Sequence, residues 1–441
     1  MIIGNGKLIT NDLSNAFIEN GALLIKDNII EQVSDFEDLK NLYPNEELIN
    51  VNGKVIMPGM ICAHSHIYSA YARGMSINKN TTNFLEILEN LWWNLDKKLT
   101  LTDVKLNALT TYIESIQNGV TTLIDHHSGP NSVEGSLFTI AEMAKKLGVR
   151  TSLCYEVSDR DGEDILQGEI DENINFIKEC QKENKDDMIK ALFGLHASFT
   201  LSNETLYKVK EKMAGVYDGY HIHVAEGIED EYDSLKKYGK RVLERLYDFN
   251  ILGEHTIAVH CVHINQSEIE ILKETDTSVV HNPESNMNNG VGCPPVISML
   301  KQGLRVGLGT DGYTNDMFES MKVSNILHSH YLCDPTVGFT ETKKMQFENN
   351  PKILMKYFNH DLGALKKNAY ADIITIDYNP LTPMDGNNWF GHVLFGMPGR
   401  MVHDTIINGK FVMKNKELIG IDVSDVMAKS RERAAQIWKM M

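Results

Sequence analysis

Two pairs of histidines separated by one residue, His64-Ser65-His66 and His221-Ile222-His223, each close an apolar run. Side chains of extended backbone repeat every second residue, so the members of each pair share a face, where two imidazole nitrogens can chelate one ion. Another apolar run ends in Thr310-Asp311-Gly312, and Glu226 follows His223 by three residues. A hydrolytic site for a divalent cation takes three or four nitrogen or oxygen donors and keeps a position for water. His64, His66, His223 and Asp311 supply such a set. His223 is chosen over His221 because it lies nearer the end of its run, while His221 points the same way one layer deeper. Any one of these residues alone reads equally well as a strand-end or hydrogen-bonded core group; the signal is that all fall independently at run ends. Glu226 is placed to shuttle a proton from water to a leaving group, and Asp311 to take the first proton. His260, ending a further run, is expected to orient the water or to stabilise charge developing on the substrate. One divalent ion is the expected cofactor, Zn2+ first, with Fe2+, Mn2+ or Co2+ suited by the same donors.

Eight apolar runs carry these groups, each followed by an amphipathic or polar stretch. They are KVIMPGMICAH to His64, GVTTLIDHH to His127, VRTSLCYE to Glu156, MIKALFGLHA near His196, GYHIHVAE to Glu226, TIAVHCVH to His263, TSVVHNP to Pro283 and RVGLGTDG to Gly312. Near-continuous apolar strands in β-α alternation over about 270 residues predict a (β/α)8 barrel, whose active-site face is built by the carboxyl ends of the strands. A doubly wound sheet is the competitor, and no GxGxxG follows the first strand to support it. Residues 1–55 and 368–420 read as short strands, with Asn408-Gly409 a hairpin turn, and are expected to join in a small composite β-sandwich. Residues 56–367 form the barrel and 421–441 a terminal helix.

The composition of the 441 residues is that of a globular protein, 42% hydrophobic and 23% charged. A net charge of −17 repels phosphate backbones and anionic bilayers, so neither nucleic acid nor membrane is an expected partner. No apolar run approaches the roughly 18 residues of a membrane span. The six cysteines form no CxxC pair and read as reduced packing residues of a cytoplasmic chain. The expected partner is a small heterocyclic substrate, and the expected assembly a homodimer.

PGMICAHSH (58–66), GLHASFTLS (194–202), HIHVAE (221–226), VHCVH (259–263), HNPESNMNNGVGCPP (281–295) and LGTDG (308–312) together resemble the amidohydrolase superfamily. More narrowly they resemble its mononuclear aminohydrolase and chlorohydrolase branch, which holds guanine, cytosine and adenosyl-type deaminases and triazine hydrolases; ICAHSHIYSAYARGM is most similar to the SsnA-type aminohydrolases. The resemblance implies the same assignments: His64, His66, His223 and Asp311 on the metal, Glu226 as proton shuttle, His260 on the water or substrate, and His196 reaching the substrate. Dinuclear members carry a carboxylated lysine at the end of the fourth strand; here that position holds Leu195-His196 and Lys190 lies at the other end, which favours a single ion. Glu226 is retained where some triazine dechlorinases depart from HxxE, which favours deamination of a C=N carbon with release of ammonia. Loss of halide or opening of a cyclic amide is the alternative, followed by a non-catalytic scaffold on the same barrel.

The stretch from Ile67 to about Lys98 offers Tyr68 and Trp92, with Tyr71, Arg73, Met75 and Trp93, as planar or polar contacts for a flat ring, although Phe84, Leu88, Leu91, Trp92 and Leu95 also fit the buried face of a helix. Arg160 is a candidate to pair with a substrate carboxylate or ring oxygen. Asp125-His126-His127 is open between packing and contact with the site. His328-Ser329-His330 copies the first pair but falls in a helical stretch, where residues two apart face about 200° from each other and cannot share an ion.

Overall fold

The computed structural model describes residues 1–77, 79–182, 187–216 and 219–441. Eight parallel strands form the barrel: Met60–Ser65, Val120–His127, Arg150–Tyr155, a fourth in two segments (Ile189–Ala191 and Phe193–Ala197), Tyr220–Val224, Ile257–His260, Ser278–His281 and Val306–Leu308. Helices cover the outer face of the barrel and side chains fill its interior, so the strands are buried on both faces, which is why they read as unbroken apolar runs. Two backbone bridges close the ring, Val157 with Leu195 and Ser65 with Asp311. The second seam is stitched by the Thr310 and Asp311 amides, both donating to the His64 carbonyl (3.0 and 3.1 Å), and the His66 amide donating to the Asp311 carbonyl (3.3 Å). Gly309 permits this approach, since a Cβ there would fall 2.7 Å from the His64 carbonyl oxygen. Closing the barrel therefore brings the first histidine pair to the aspartate.

Alternation along the strands sorts side chains between the barrel interior and the helix layer. Ile61, Ala63, Ile124, Cys154, Ile257 and Val259 meet inside, while Cys62, Leu123, Leu153, Ile222 and Ala258 pack outward. Two departures from strict alternation aim the site. The first strand gains one residue against the second between Cys62 and Ser65, a bulge that turns His64 to the same side as Ala63. Where the sixth strand ends, His260 and the following Cys261 both adopt left-handed backbone (φ 71° and 52°), which swings the His260 ring inward from a position whose parity is outward.

The run KVIMPGMICAH is two strands and not the single one its hydropathy suggests. Val55–Pro58 belongs to the sheet of the chain ends, pairing with Ile2–Ile9 on one side and Ile373–Ile376 on the other; the chain enters the barrel after Gly59. That composite module takes its strands from both ends of the chain and hydrogen-bonds them into one nine-stranded sheet, the Asn408-Gly409 turn lying in left-handed backbone as expected. The terminal helix Val423–Trp438 packs on helix Leu101–Gln117, with Ile437 buried among Tyr68, Tyr71, Leu95, Leu99 and Leu106. Among the described residues no helix is long and apolar enough to cross a membrane.

Candidate metal centre and active site

The carboxyl ends of the strands open on a cavity of about 280 Å³. His66, His223, His260, Glu226 and Asp311 stand on its wall, with His64 fully buried behind them. Three overlapping groups, His64 with His66 and Asp311, His64 with His223 and His260, and Glu226 with His260 and Asp311, each bring their donor atoms within 4.8 Å of one another. Asp311 Oδ1 lies 3.2 Å from His66 Nε2 and 3.9 Å from His64 Nε2.

Hydrogen bonds on the far side of each ring sort these donors. His66 Nδ1 faces the His126 carbonyl at 2.6 Å and His223 Nδ1 the His196 carbonyl at 3.0 Å. A carbonyl only accepts, so both rings carry the proton on Nδ1 and present an Nε2 lone pair to the site. Those two Nε2 atoms stand 3.2 Å apart. Two lone pairs cannot bond each other, and a cation between them would resolve the contact. His64 Nδ1 sits 2.9 Å from His221 Nε2, His221 Nδ1 sits 3.5 Å from Cys154 Sγ, and the Cys154 thiol donates to the Asp125 carbonyl at 3.5 Å. Followed back from that carbonyl, each group donates to the one before it, and His64 Nε2, buried and without a hydrogen bond, is left with a lone pair. His260 differs. The Asn286 amide nitrogen is 2.8 Å from His260 Nδ1, so the proton sits on Nε2, 3.3 Å from Glu226 Oε2 and 3.7 Å from Asp311 Oδ2. His260 thus turns an N–H that makes no hydrogen bond toward the two acids.

Burial holds the imidazoles neutral: His64 and His223 fall well below the usual histidine range, with neighbouring imidazoles adding to the effect, and His260 falls to about 4. Burial also pushes Glu226 well above the carboxylate range, and the charge of Asp311 pushes it the same way. Glu226 Oε1 accepts from Asn289 Nδ2 at 3.2 Å. A Cβ on Gly227 would fall 2.4 Å from the Phe84 ring, so glycine lets the segment after Glu226 meet the first loop.

His196, Tyr68 and Trp92 line the cavity as expected, joined by Trp93, Phe84 and Phe199. Trp92 and Trp93 reach it from one helical segment, Phe84–Ile87, Leu88–Trp92 and Trp93–Asp96, whose middle turn is widened to π geometry. Arg160 corrects the sequence reading, for it is not a wall residue. Its guanidinium lies under Trp93 at 4.9 Å and bonds Asp96 Oδ2 at 3.1 Å. Among the Asp125-His126-His127 residues, Asp125 accepts from the Ile67 amide at 2.6 Å, His126 faces the interior, and His127 packs on Tyr155. Sequence reasoning passed over Glu156, Cys154, Asn286 and Asn289. Glu156 was findable: two residues beyond Cys154, it shares that residue's interior face. His328 packs against His281 with ring centres 5.1 Å apart, and Lys190 pairs with Asp187 at the far end of its strand.

Barrel, donor set and neighbouring acid define a hydrolase that works with a bound cation. The fold agrees with that of an adenosine deaminase from Xanthomonas campestris with bound zinc, at a TM-score of 0.86 and 20% identity over 99% of this chain and 98% of the other. It also agrees with a zinc-complexed atrazine chlorohydrolase from Arthrobacter aurescens, at 0.82 and 18% over 98% and 99%. Residues 55–412 match the amidohydrolase family, and the chain belongs to it. Two relatives align over nearly their whole length: a 5'-deoxyadenosine deaminase of Methanosarcina mazei, 30% identical over 99% of this chain and 98% of its own, and a 5-methylthioadenosine/S-adenosylhomocysteine deaminase of Thermococcus sibiricus, 32% identical over 94% of each. The chain is accordingly a hydrolase of carbon–nitrogen bonds other than peptide bonds.

Proposed function

We propose that the chain deaminates an amidine carbon in a small nitrogen heterocycle, with His64, His66, His223 and Asp311 holding one Zn2+. The observation that carries this reading is the convergence of three imidazole Nε2 lone pairs and one carboxylate beside Glu226, an acid whose pKa is pushed well above the carboxylate range. Bound there, the cation supplies Lewis-acid polarisation and lowers the pKa of water toward about 7. Asp311 accepts a proton from the attacking water. His260, its Nε2 proton between Glu226 and Asp311, holds that water in line and steadies charge on the substrate. Glu226, kept protonated by burial, gives its proton to the ring nitrogen next to the carbon under attack. The amino group then takes the proton held by Asp311 and leaves as ammonia, while the hydroxyl on the attacked carbon gives its proton to Glu226 and becomes the carbonyl, which restores both acids. Tyr68, Trp92 and Trp93 give a flat ring aromatic surface, and His196 stands on the same wall. The names of the relatives favour a substrate of adenosine-like size.

The test is a panel of purine and pyrimidine bases and their nucleosides, incubated with the zinc-loaded protein and followed for ammonia, chloride and ring opening. Ammonia from a member of the panel supports the reading; chloride or ring opening without ammonia reassigns the reaction, and no turnover refutes it. We further propose a homodimer, for which the exposed Phe339 and Phe395, stacked 6.0 Å apart, offer an apolar surface; light scattering checks it.

A further inference from the structure

Glu156 directly follows the third barrel strand, 2% exposed yet on the cavity wall. Its Oε1 lies 3.5 Å from Arg160 Nη2. Its Oε2 makes no hydrogen bond, and His126 Nδ1 stands beyond bonding range at 3.6 Å. Arg160 spends its Nε and Nη2 on other acceptors, and its Nη1 makes no hydrogen bond to that oxygen. Its Nε donates to Ser158 Oγ at 3.1 Å and its Nη2 to Asp96 Oδ2 at 3.1 Å and Ser128 Oγ at 3.4 Å, while Trp93 covers its face. Asp96 is itself held by the Ser128 hydroxyl at 2.9 Å. A buried acceptor with no donor is costly, and on the wall of a cavity the molecule that fills the cavity is what completes it.

We infer that Glu156 receives a hydrogen-bond donor from the substrate, and that Arg160, clamped by Trp93 and Asp96, positions Glu156 without touching the substrate. This rests on the aminohydrolase reading above. The donor is an N–H or O–H other than the amino group that leaves, so the site selects heterocycles bearing a ring N–H or second amino group, or a sugar hydroxyl. His66, His126, Glu156 and His223 could also gather around a cation. His66 and His223 each have one Nε2 to give, however, and both are turned to the set with His64 and Asp311.

The experiment takes the panel member with the highest kcat/KM; if no member releases ammonia, the aminohydrolase reading has failed before any variant is made. Glu156→Gln is expected to raise KM about 10-fold with kcat little changed and zinc content at one per chain, because the acceptor for the substrate's donor is lost. Guanine, 5'-deoxyadenosine and 9-methyladenine, which offer a ring N–H, sugar hydroxyls and neither, separate the sources of the donor through the one whose affinity for Glu226→Gln protein falls when Glu156→Gln is added. Arg160→Lys is expected to raise KM in the same substrate order. Glu156→Gln within twofold of wild type in kcat/KM, or loss of zinc from folded variant, overturns the inference. Should that variant not fold, a crystal structure of Glu226→Gln protein with the substrate decides: a substrate donor within about 3.2 Å of Glu156 Oε2 supports the role, and an ion or water alone there refutes it.

Discussion

Each proposed ligand imidazole is oriented from behind. For His66 and His223 the partner is a main-chain carbonyl, but for His64 it is His221 backed by Cys154, and a thiol is replaceable. Cys154→Ala is therefore expected to keep the fold and weaken zinc affinity about 10- to 100-fold, the usual cost of losing a group that orients a ligand; competition against a zinc chelator measures it, and unchanged affinity would remove Cys154 from the chain of donors. Glu226→Gln is expected to bind zinc normally and lose about 100-fold or more in turnover; near-normal ammonia release from zinc-loaded variant would end its role as the acid. The histidine pairs, Glu226 and Asp311 were legible because strand periodicity and position at run ends are sequence properties. His260 was placed correctly at a strand end, but its inward turn depends on left-handed backbone that no residue type there announces. Arg160 was misread because pairing with Asp96, 64 residues away, is invisible in one dimension.

The first loop owes its place to an element far away in the chain. Helix Val423–Trp438 lays Ile437 against Tyr68, Tyr71 and Leu95, Trp438 Nε1 donates to the Tyr71 carbonyl at 2.7 Å, and Arg433 grips Asp103 at 2.8 Å. The helix that braces Tyr68 and Trp92 thus stabilises the cavity wall. Ile437→Ala should cost about 2–5 kcal/mol locally and raise KM while zinc content holds at one per chain; thermal melts and steady-state kinetics check this, and an unchanged KM would reduce the helix to a passive cover. The existence of this helix was readable from its 3.6-residue periodicity. Its docking partner was not, because an amphipathic pattern shows that a face is buried but not against what. The split of the first run at Gly59 was hidden for a similar reason: strands of two different sheets are equally apolar.

Barrel and composite sheet are joined by a buried ion pair. Arg150, fully buried at the start of the third barrel strand, bonds Asp372 at 2.9 Å and stacks on Tyr370 at 4.0 Å. Asp372→Ala leaves that guanidinium uncompensated and should destabilise the protein by about 3–5 kcal/mol; denaturant unfolding measures it, and a loss below about 1 kcal/mol would show that the pair does not couple the two parts. The many buried imidazoles also set a pH limit. An unfolded histidine takes up its proton near pH 6.5, whereas burial holds His260 and His328 to about 4 and His127 and His221 to about 3. Between those values the unfolded chain binds more protons, so stability is full above about pH 6.5 and falls as the pH drops toward 4, by up to about 1.4 kcal/mol per pH unit for each such ring. Melts of zinc-free protein across that range should show the decline, and a flat profile would contradict the neutral state of these rings. The barrel itself was legible from eight apolar runs in alternation; the closure that unites His64 and Asp311 lies in backbone bonds between residues about 250 apart, which only the fold reveals. Anomalous diffraction at the zinc edge from crystals of active, zinc-loaded protein addresses that closure directly. One peak about 2.0–2.2 Å from the Nε2 atoms of His64, His66 and His223 and from an Asp311 carboxylate oxygen is the predicted result. A peak held by His126 and Glu156 instead, or full activity with no ion among these four residues, would contradict it.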